Sequence, residues 1–446
     1  MNTYTFESGT KSKILITFVI GVLILLLGIG MNALKSSKSA DAHGTHQTAA
    51  EHHDATDAHA QNVHADEHGQ DAHSGGHHEK PITLKSKLLA NFYSLFLFGF
   101  YIALTALFFI SAATIAWGGW QIQIQKIPLA ISRNIFIFLG FLFLAFLLFR
   151  HDLFEWTHEY LYIKDSDTFD PILAMKRDYL NMPRFWAFFA IQVLAAGGIA
   201  FAWWKNLTQQ DSNPSMKLFS KSRAISATAI VLIAFVISTF ATWDWSMSIQ
   251  PHWYSTLFPW YTMASAAVTM FSIVLLIIYH LKSKNLLPRV NENHTHDIAK
   301  LMFAISVFWT YLFFAQYMLI WYGNIPEETT FFINRRQLDN YGILFHATLV
   351  INFILPFFIL MRRNSKRNPN VTKFMAVVII LGHWMDFYLM IGPPLVPNGG
   401  FGLISLGALL IMGSLFAFVT LYSLSKVTDL ESSTHPYVKE SYNLHI

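Results

Sequence analysis

The chain has 446 residues, of which 53% are hydrophobic and 13% charged, and its formal net charge is +4. It contains no cysteine, which excludes disulfides, thiolate-bound iron–sulfur clusters, covalent c-type haem and cysteine zinc sites within the chain. Neither a phosphate-binding glycine loop nor a soluble nucleotide-binding domain is evident, which argues against an ATP-driven pump, and no nucleic-acid partner is predicted.

Ten apolar stretches run through the chain, each long enough to cross a bilayer as a helix. About 20 residues at 1.5 Å each cover a hydrocarbon core of about 30 Å, and a helix satisfies its backbone groups internally. An all-α polytopic membrane protein is therefore predicted. The predicted spans are residues 14–34, 88–116, 134–161, 184–204, 223–243, 261–281, 299–321, 341–361, 371–392 and 404–425.

The first span has two interpretations. Lys11 and Lys13 precede it, as in a signal peptide, but its apolar run of about 20 residues is longer than a signal core, so a retained helix is predicted. Lysines and arginines are more numerous in the N-terminal segment, in alternate loops and in the C-terminal tail than in the other loops. Both termini are therefore predicted to be cytoplasmic, and the other loops periplasmic or equivalent.

Residues 36–79 form a low-complexity stretch that holds half of the 20 histidines. Its imidazoles and carboxylates would suit loose binding of zinc, copper or nickel, or pH-dependent attachment to a partner. The irregular spacing favours a solvated tether instead, and no dedicated metal site is predicted. The whole chain is thereby divided into four predicted segments: a tail with the first helix at 1–35, the histidine-rich loop at 36–87, a nine-helix membrane bundle at 88–425 and a C-terminal tail at 426–446.

The end of the third span, FRHDLFEWTHEYLYIKD, is the most polar stretch near the membrane. On a helix, His151, Glu155, His158 and Tyr162 would share one face, with Asp152 beside it. Such a row can pass protons, because imidazoles and carboxylates exchange them readily. The alternative is that the helix simply extends into water.

The ninth span carries GHWMDFYLMIGPP, in which His383 and Asp386 lie three residues apart about halfway through the membrane. An unpaired carboxylate at that depth is costly, so the two are predicted to carry protons or to bind a quinone oxygen, against a merely structural pair. His346 and Asn352 in the eighth span are expected to continue the same polar route. No catalytic residue is predicted.

The loop TWDWSMSIQPHWYSTLFPWY after the fifth span is rich in aromatic residues and holds two ionisable groups besides its tyrosines, Asp244 and His252. Indole rings prefer the membrane interface, so plain anchoring is one interpretation. Docking of a peripheral subunit is the other, with Trp245 and Trp253 beside the two ionisable residues.

The string DWSMSIQPHWYSTLF, the ten-span layout and the histidine-rich first loop resemble the ActF-type membrane subunits of bacterial alternative complex III, over essentially the whole chain. These belong to the wider NrfD and polysulfide-reductase membrane-subunit family. That wider resemblance covers spans 2 to 9 and implies two four-helix bundles, with peripheral first and last helices.

The resemblance implies a subunit of a quinol:cytochrome c or oxidase oxidoreductase in a bacterial inner membrane. The implied partners are a similar, ActC-like sister subunit that binds quinol, an iron–sulfur protein, multihaem and monohaem cytochromes c, and a terminal oxidase. Haem c and iron–sulfur clusters would lie in those partners, whereas this chain holds no covalent cofactor and is a candidate for quinone or lipid binding. Its implied role is proton translocation coupled to quinol oxidation, with Asp244 and His252 as positions of interest.

Other classes stay open at this point. A stand-alone secondary transporter would also bury His and Asp at midmembrane. A b-type haem protein would need facing histidines at matched depth, for which only His346 and His383 are candidates. A purely structural membrane anchor would have no proton path at all.

Overall fold

A computed structural model describes residues 3–44, 82–337, 341–397, 399–427, 429–431, 435–442 and 444. The regular elements within these ranges are all helical, and ten helices are long and apolar enough to cross a membrane. The predicted all-α polytopic class is therefore confirmed. Most of the histidine-rich stretch lies outside the described residues, so the metal-binding and tether interpretations of it stay predictions.

The ten spans are numbered here in chain order. They are α1 Ser8–Leu34, α2 Leu84–Ile115, α3 Lys126–Leu153, α4 Met182–Ser212, α5 Met216–Ile249, α6 Phe258–Lys282, α7 Glu292–Gly323, α8 Ile343–Leu360, α9 Pro369–Leu395 and α10 Leu403–Leu424. A short helix, Pro326–Arg336, joins α7 to α8 and is called the surface helix. A second one, Val438–Tyr442, belongs to the C-terminal tail.

Both ends of the chain contact the same loop, the one that joins α6 to α7. Glu7 pairs with Lys284 at 2.7 Å, and Asn291 donates to the carbonyl of Leu444 at 3.1 Å. We call this side of the bundle the terminal face and the side that carries residues 246–257 the loop face. The central spans are α2, α6 and α9, which are mostly buried, whereas α1 turns most of its surface outward.

Glycines bring α1 against α10. A Cβ at Gly407 would lie 2.6 Å from the backbone nitrogen of Leu25, and one at Gly28 would lie 2.9 Å from that of Ile404. Close backbone approach through small residues is a common way for membrane helices to associate. The α1 helix also continues to Gly44, beyond the predicted boundary at residue 34, because no proline or glycine interrupts residues 35–43.

The third span differs from its prediction of 134–161. Its helix begins earlier, at Lys126, and ends at Leu153. Phe154 is extended, with φ −123° and ψ 107°, and both Phe154 and Trp156 are buried in one aromatic cluster around Phe146. Residues two apart do not share a face of a helix, so burying both rings in one cluster requires the helix to stop.

Two spans contain a π-helical turn. In α5 it covers Leu232–Ile237, and in α8 it covers Val350–Ile354. Such turns are rare and frequently lie at functional sites. The turn in α8 contains Asn352, which places this buried amide against α9.

Candidate functional site

The carboxylate of Asp386 lies inside the bundle where α6, α7 and α9 meet, and it is 2% exposed. It accepts a hydrogen bond from the Tyr261 hydroxyl, one from Ser265 at 2.8 Å and one from the Trp309 indole at 3.0 Å. Three donors from two neighbouring helices satisfy most of the acceptor capacity of this carboxylate. A buried charge with such partners is far less costly than an unpaired one.

His383 precedes Asp386 by one helical turn and is fully buried. Its Nδ1 lies 2.8 Å from the Ser265 hydroxyl but 3.8 Å from the Asp386 carboxylate, so serine bridges the two. Because Ser265 donates its proton to Asp386, Nδ1 must donate to Ser265, which leaves Nε2 as the proton acceptor. Nε2 has no hydrogen-bond partner within the described residues.

Local sequence explains how these side chains come together. Tyr261 and Ser265 are four residues apart on α6, and His383 and Asp386 are three apart on α9, so each pair shares a helix face. Gly382 gives α9 room beside α8, because a Cβ there would lie only 2.0 Å from Oδ1 of Asn352. The α9 pair was predicted from the sequence, whereas the α6 pair and Trp309 were not. The four-residue spacing on α6 was the available signal.

A narrow cavity reaches Asp386 from the side of the surface helix. Its walls are mostly aromatic, and a few polar groups line it as well. The aromatic residues are Phe258, Tyr261, Phe313, Phe331, Phe332 and Phe345, and the polar ones are Gln316, Arg335, Thr348 and Asp386. An apolar cavity with a few convergent polar groups is the usual form of a binding site or an access route.

Buried hydroxyl groups continue from Ser265 toward the terminal face along α6. Thr269 and Ser272 follow it at helical spacing and are buried, each bonded to a carbonyl of its own helix. Farther along, the hydroxyls of Tyr279 and Thr372 lie 2.9 Å apart. About 10 Å of helix separates Ser272 from Tyr279.

Of the two α8 residues that were predicted to continue the polar route, one lies inside the bundle and the other lies outside it. Asn352 is fully buried next to α9, and neither of its amide atoms has a partner within the described residues. His346 lies on the outside of the bundle, with Nδ1 2.6 Å from the carbonyl of Gly342. The prediction that His346 continues the polar route is therefore wrong, because its position on α8 faces outward. For the same reason it does not face His383 as a haem-ligand pair would.

The polar row predicted at the end of the third span does not form one continuous helix. His151 and Asp152 are exposed in the last turn of α3, Glu155 begins a short 3-10 turn at the loop face, and His158 lies in extended backbone between that turn and the next. His158 still contacts His151, with Nε2 2.9 Å from its carbonyl, and Asp152 pairs with Lys85 at 2.6 Å. The prediction of one helical face is wrong, and the group lies at the surface.

The aromatic loop is packed inward. Trp245 is fully buried and donates to Gln192 at 3.0 Å, and Trp253 is 2% exposed and stacks on Phe331 at 3.7 Å. Neither indole reaches the surface, and docking of a peripheral subunit at this loop stays a prediction. His252 remains half-buried, 2.5 Å from Asp170.

Asp244 is a second buried acid, 2% exposed near the loop face. It pairs with Arg184 at 2.8 Å and accepts a hydrogen bond from Tyr179 at 3.2 Å. The Arg184 guanidinium also lies over the Tyr179 ring, 3.3 Å from its centre. With its own cation in direct contact, Asp244 differs from Asp386, whose three donors are all neutral.

Comparison of the chain with protein-family models and with curated proteins finds no match.

Proposed function

We propose that this chain is an integral membrane subunit of a respiratory quinol:cytochrome c or oxidase oxidoreductase of the alternative complex III type. Its role in that complex would be to translocate protons that are coupled to quinol oxidation in a sister subunit. The observation that carries the proposal is the buried relay of His383, Ser265 and Asp386, in which Asp386 lines a cavity and Ser265 is followed along α6 by further buried hydroxyls.

The relay can move one proton without a net change in the serine. A proton taken up at Nε2 of His383 makes the imidazole cationic, and its Nδ1 proton passes to Ser265 while the serine proton passes to Asp386. The histidine is then neutral again and the carboxyl is protonated. This transfer needs only the two hydrogen bonds already formed at Ser265, each 2.8 Å long.

The proposed direction of proton transfer follows from the groups on either side of the relay. Thr269, Ser272 and Tyr279 would bring protons from the terminal face, with water bridging the interval that lacks hydroxyls. Asp386 would release them into the aromatic cavity toward the loop face. On the count of basic residues, we assign the terminal face to the cytoplasm and the loop face to the periplasm of a bacterial inner membrane.

The partners in this proposal are those that the resemblance implies. They are an ActC-like sister subunit that binds quinol, an iron–sulfur protein, multihaem and monohaem cytochromes c, a terminal oxidase and the surrounding lipid. The redox cofactors would lie in the partners, since this chain has no cysteine to hold a cluster or covalent haem. The aromatic cavity has the composition expected for a lipid or quinone ring.

The decisive experiment replaces Asp386 with asparagine in the reconstituted complex and counts protons translocated per electron. The isosteric amide keeps the shape of the site but cannot take up a proton. We expect translocation to fall while quinol oxidation continues at comparable turnover. Asp152→Asn is the matched control, because Asp152 is exposed and paired with Lys85 at the surface.

Unchanged proton stoichiometry in Asp386→Asn at equal turnover would remove the relay from the mechanism and leave a structural membrane anchor. A larger loss in Asp152→Asn than in Asp386→Asn would assign the path to the surface group at the end of α3. Copurification of an iron–sulfur protein and multihaem cytochromes tests the partners separately.

A stand-alone secondary transporter is the second candidate. The π-helical turns in α5 and α8 favour it, because transporters often use interrupted helices at midmembrane sites. Transport by the isolated chain in vesicles, with no haem protein present, would support this candidate against the subunit role.

A further inference from the structure

The loop that joins α8 to α9 carries four basic residues at the terminal face. Arg367 of this loop donates to Asn293 in the first turn of α7, with 2.8 Å between Nη2 and Oδ1. Lys366 is 8% exposed and donates to the carbonyls of Leu360 and Met361, at 2.8 and 3.0 Å. The loop therefore lies against the start of α7 and holds two cations there.

His296 lies about one turn into α7 and is 4% exposed. Neither of its ring nitrogens has a hydrogen-bond partner within the described residues. A neutral imidazole has one N–H donor and one acceptor, so both polar groups of this side chain are buried without a partner there. Such groups are costly, and a bound molecule that pairs with them would stabilise the site.

The charged groups that act on His296 are mostly cations. They are Lys300 of α7, Lys366 and Arg367 of the loop, and Asp297, which pairs with Lys300 at 2.5 Å. The charge of Lys300 also acts on Lys366, and burial together with that charge lowers the pKa of the Lys366 ammonium. Three cations around one carboxylate leave this cluster with an excess of positive charge.

An anionic ligand would satisfy the cluster around His296. Lysine and arginine side chains have donors only, so they cannot accept the proton of the imidazole N–H. The oxygens of a phosphate group accept hydrogen bonds from ammonium, guanidinium and imidazole groups at the same time. Basic pockets between membrane helices bind the head groups of anionic lipids in this way.

An apolar surface begins directly beside the cluster. The Lys366 ammonium lies 5.2 Å from the centre of the Phe303 ring on α7, and that ring stacks on Phe357 of α8, 6.1 Å away. Phe358, the next residue of α8, is 64% exposed. These side chains would contact the acyl chains of a lipid whose head group is bound at the cluster, which favours a phospholipid over a soluble phosphate.

We propose that this cluster binds the phosphate group of an anionic phospholipid at the terminal face. The phosphate would accept hydrogen bonds from His296, Lys300 and Arg367, and the acyl chains would run along α7 and α8. The site is separate from the relay, because Trp309, which donates to Asp386, lies about 20 Å farther along α7. This inference therefore does not depend on the proposed function.

The test is native mass spectrometry of the full-length chain released from neutral detergent micelles that contain dioleoyl phosphatidylglycerol or dioleoyl phosphatidylcholine. We expect the chain to retain phosphatidylglycerol in preference to phosphatidylcholine. Each lysine or arginine near a membrane surface strengthens the binding of anionic lipid by a factor of about five, so Lys300→Gln together with Arg367→Gln should weaken it about 25-fold. Arg362→Gln is the matched control, because Arg362 is exposed on the same loop and its replacement removes one charge while the cluster stays intact.

Two single variants keep the proposal testable if the loss of the Arg367 bond to Asn293 prevents folding. His296→Phe keeps a ring but removes both nitrogens, and it should weaken retention of phosphatidylglycerol, whereas Arg367→Lys keeps the charge and should retain most of the binding. Unchanged retention in the folded cluster variants, or an equal loss in Arg362→Gln, would overturn the inference. Equal retention of the two lipids would overturn it as well. Inorganic phosphate that raises the thermal stability of the lipid-free protein as much as phosphatidylglycerol does would assign the cluster to a soluble anion and overturn the lipid site.

Discussion

Replacing Gly382 with alanine is the sharpest test of how α8 and α9 fit together beside the relay. The added Cβ would lie 2.0 Å from Oδ1 of Asn352 and 2.4 Å from Cγ2 of Ile351, whereas ordinary contacts begin near 3.4 Å. The side chains of Asn352 and Ile351, or one of the two helices, must therefore shift. Overpacking of this kind costs about 1–3 kcal/mol of the free energy of unfolding.

The matched control is Gly140→Ala in α3, where a Cβ would meet nothing within 4 Å. Both substitutions gain the same helix propensity, about 1 kcal/mol, so the difference between them isolates the packing cost. We expect Gly382→Ala to be less stable than Gly140→Ala by about 1–3 kcal/mol. Detergent or denaturant unfolding of the purified protein, followed by tryptophan fluorescence, measures the difference.

Truncating the facing side chain should reverse part of the loss. Neither amide atom of Asn352 has a partner within the described residues, so Asn352→Ala removes the clash without breaking a hydrogen bond seen there. The double variant should therefore be more stable than the sum of the two single effects predicts. Equal stability of Gly382→Ala and Gly140→Ala would refute the close approach of these helices, and with it the position assigned to Asn352.

Two further predictions concern the other buried ionisable groups. Arg184→Gln should destabilise the protein by about 3–5 kcal/mol, because it leaves the carboxylate of Asp244, which is 2% exposed, as an unpaired charge. Adding Asp244→Asn should restore stability, and equal unfolding curves for the single and double variants would contradict this prediction. Burial lowers the pKa of His435 to about 4, so its packing against Phe219 should be fully present above pH 6.5 and weaken as the pH falls toward 4. Proteolysis of the C-terminal tail measured from pH 7 to 5 should accelerate, and His435→Phe should remove that dependence.

The sequence was sufficient for the membrane class and the number of spans, because both depend on the length and apolarity of each segment alone. It also identified His383 and Asp386 as a pair on one face, since their spacing is local to one helix. It misjudged the end of α3, where two aromatic side chains two residues apart are buried in the same cluster. No local pattern reports such a cluster.

Which face of each helix points inward was decided by the tertiary structure. These spans are apolar on nearly every side, so periodicity does not distinguish a lipid-facing position from a packed one, and His346 faces outward while Asn352 faces α9. The donors to Asp386 come from α6 and α7, and Arg335 lies more than 50 residues from Leu389, whose carbonyl accepts its hydrogen bond. The sequence thus determined which polar groups lie within the membrane spans, and helix packing determined which residues those groups contact.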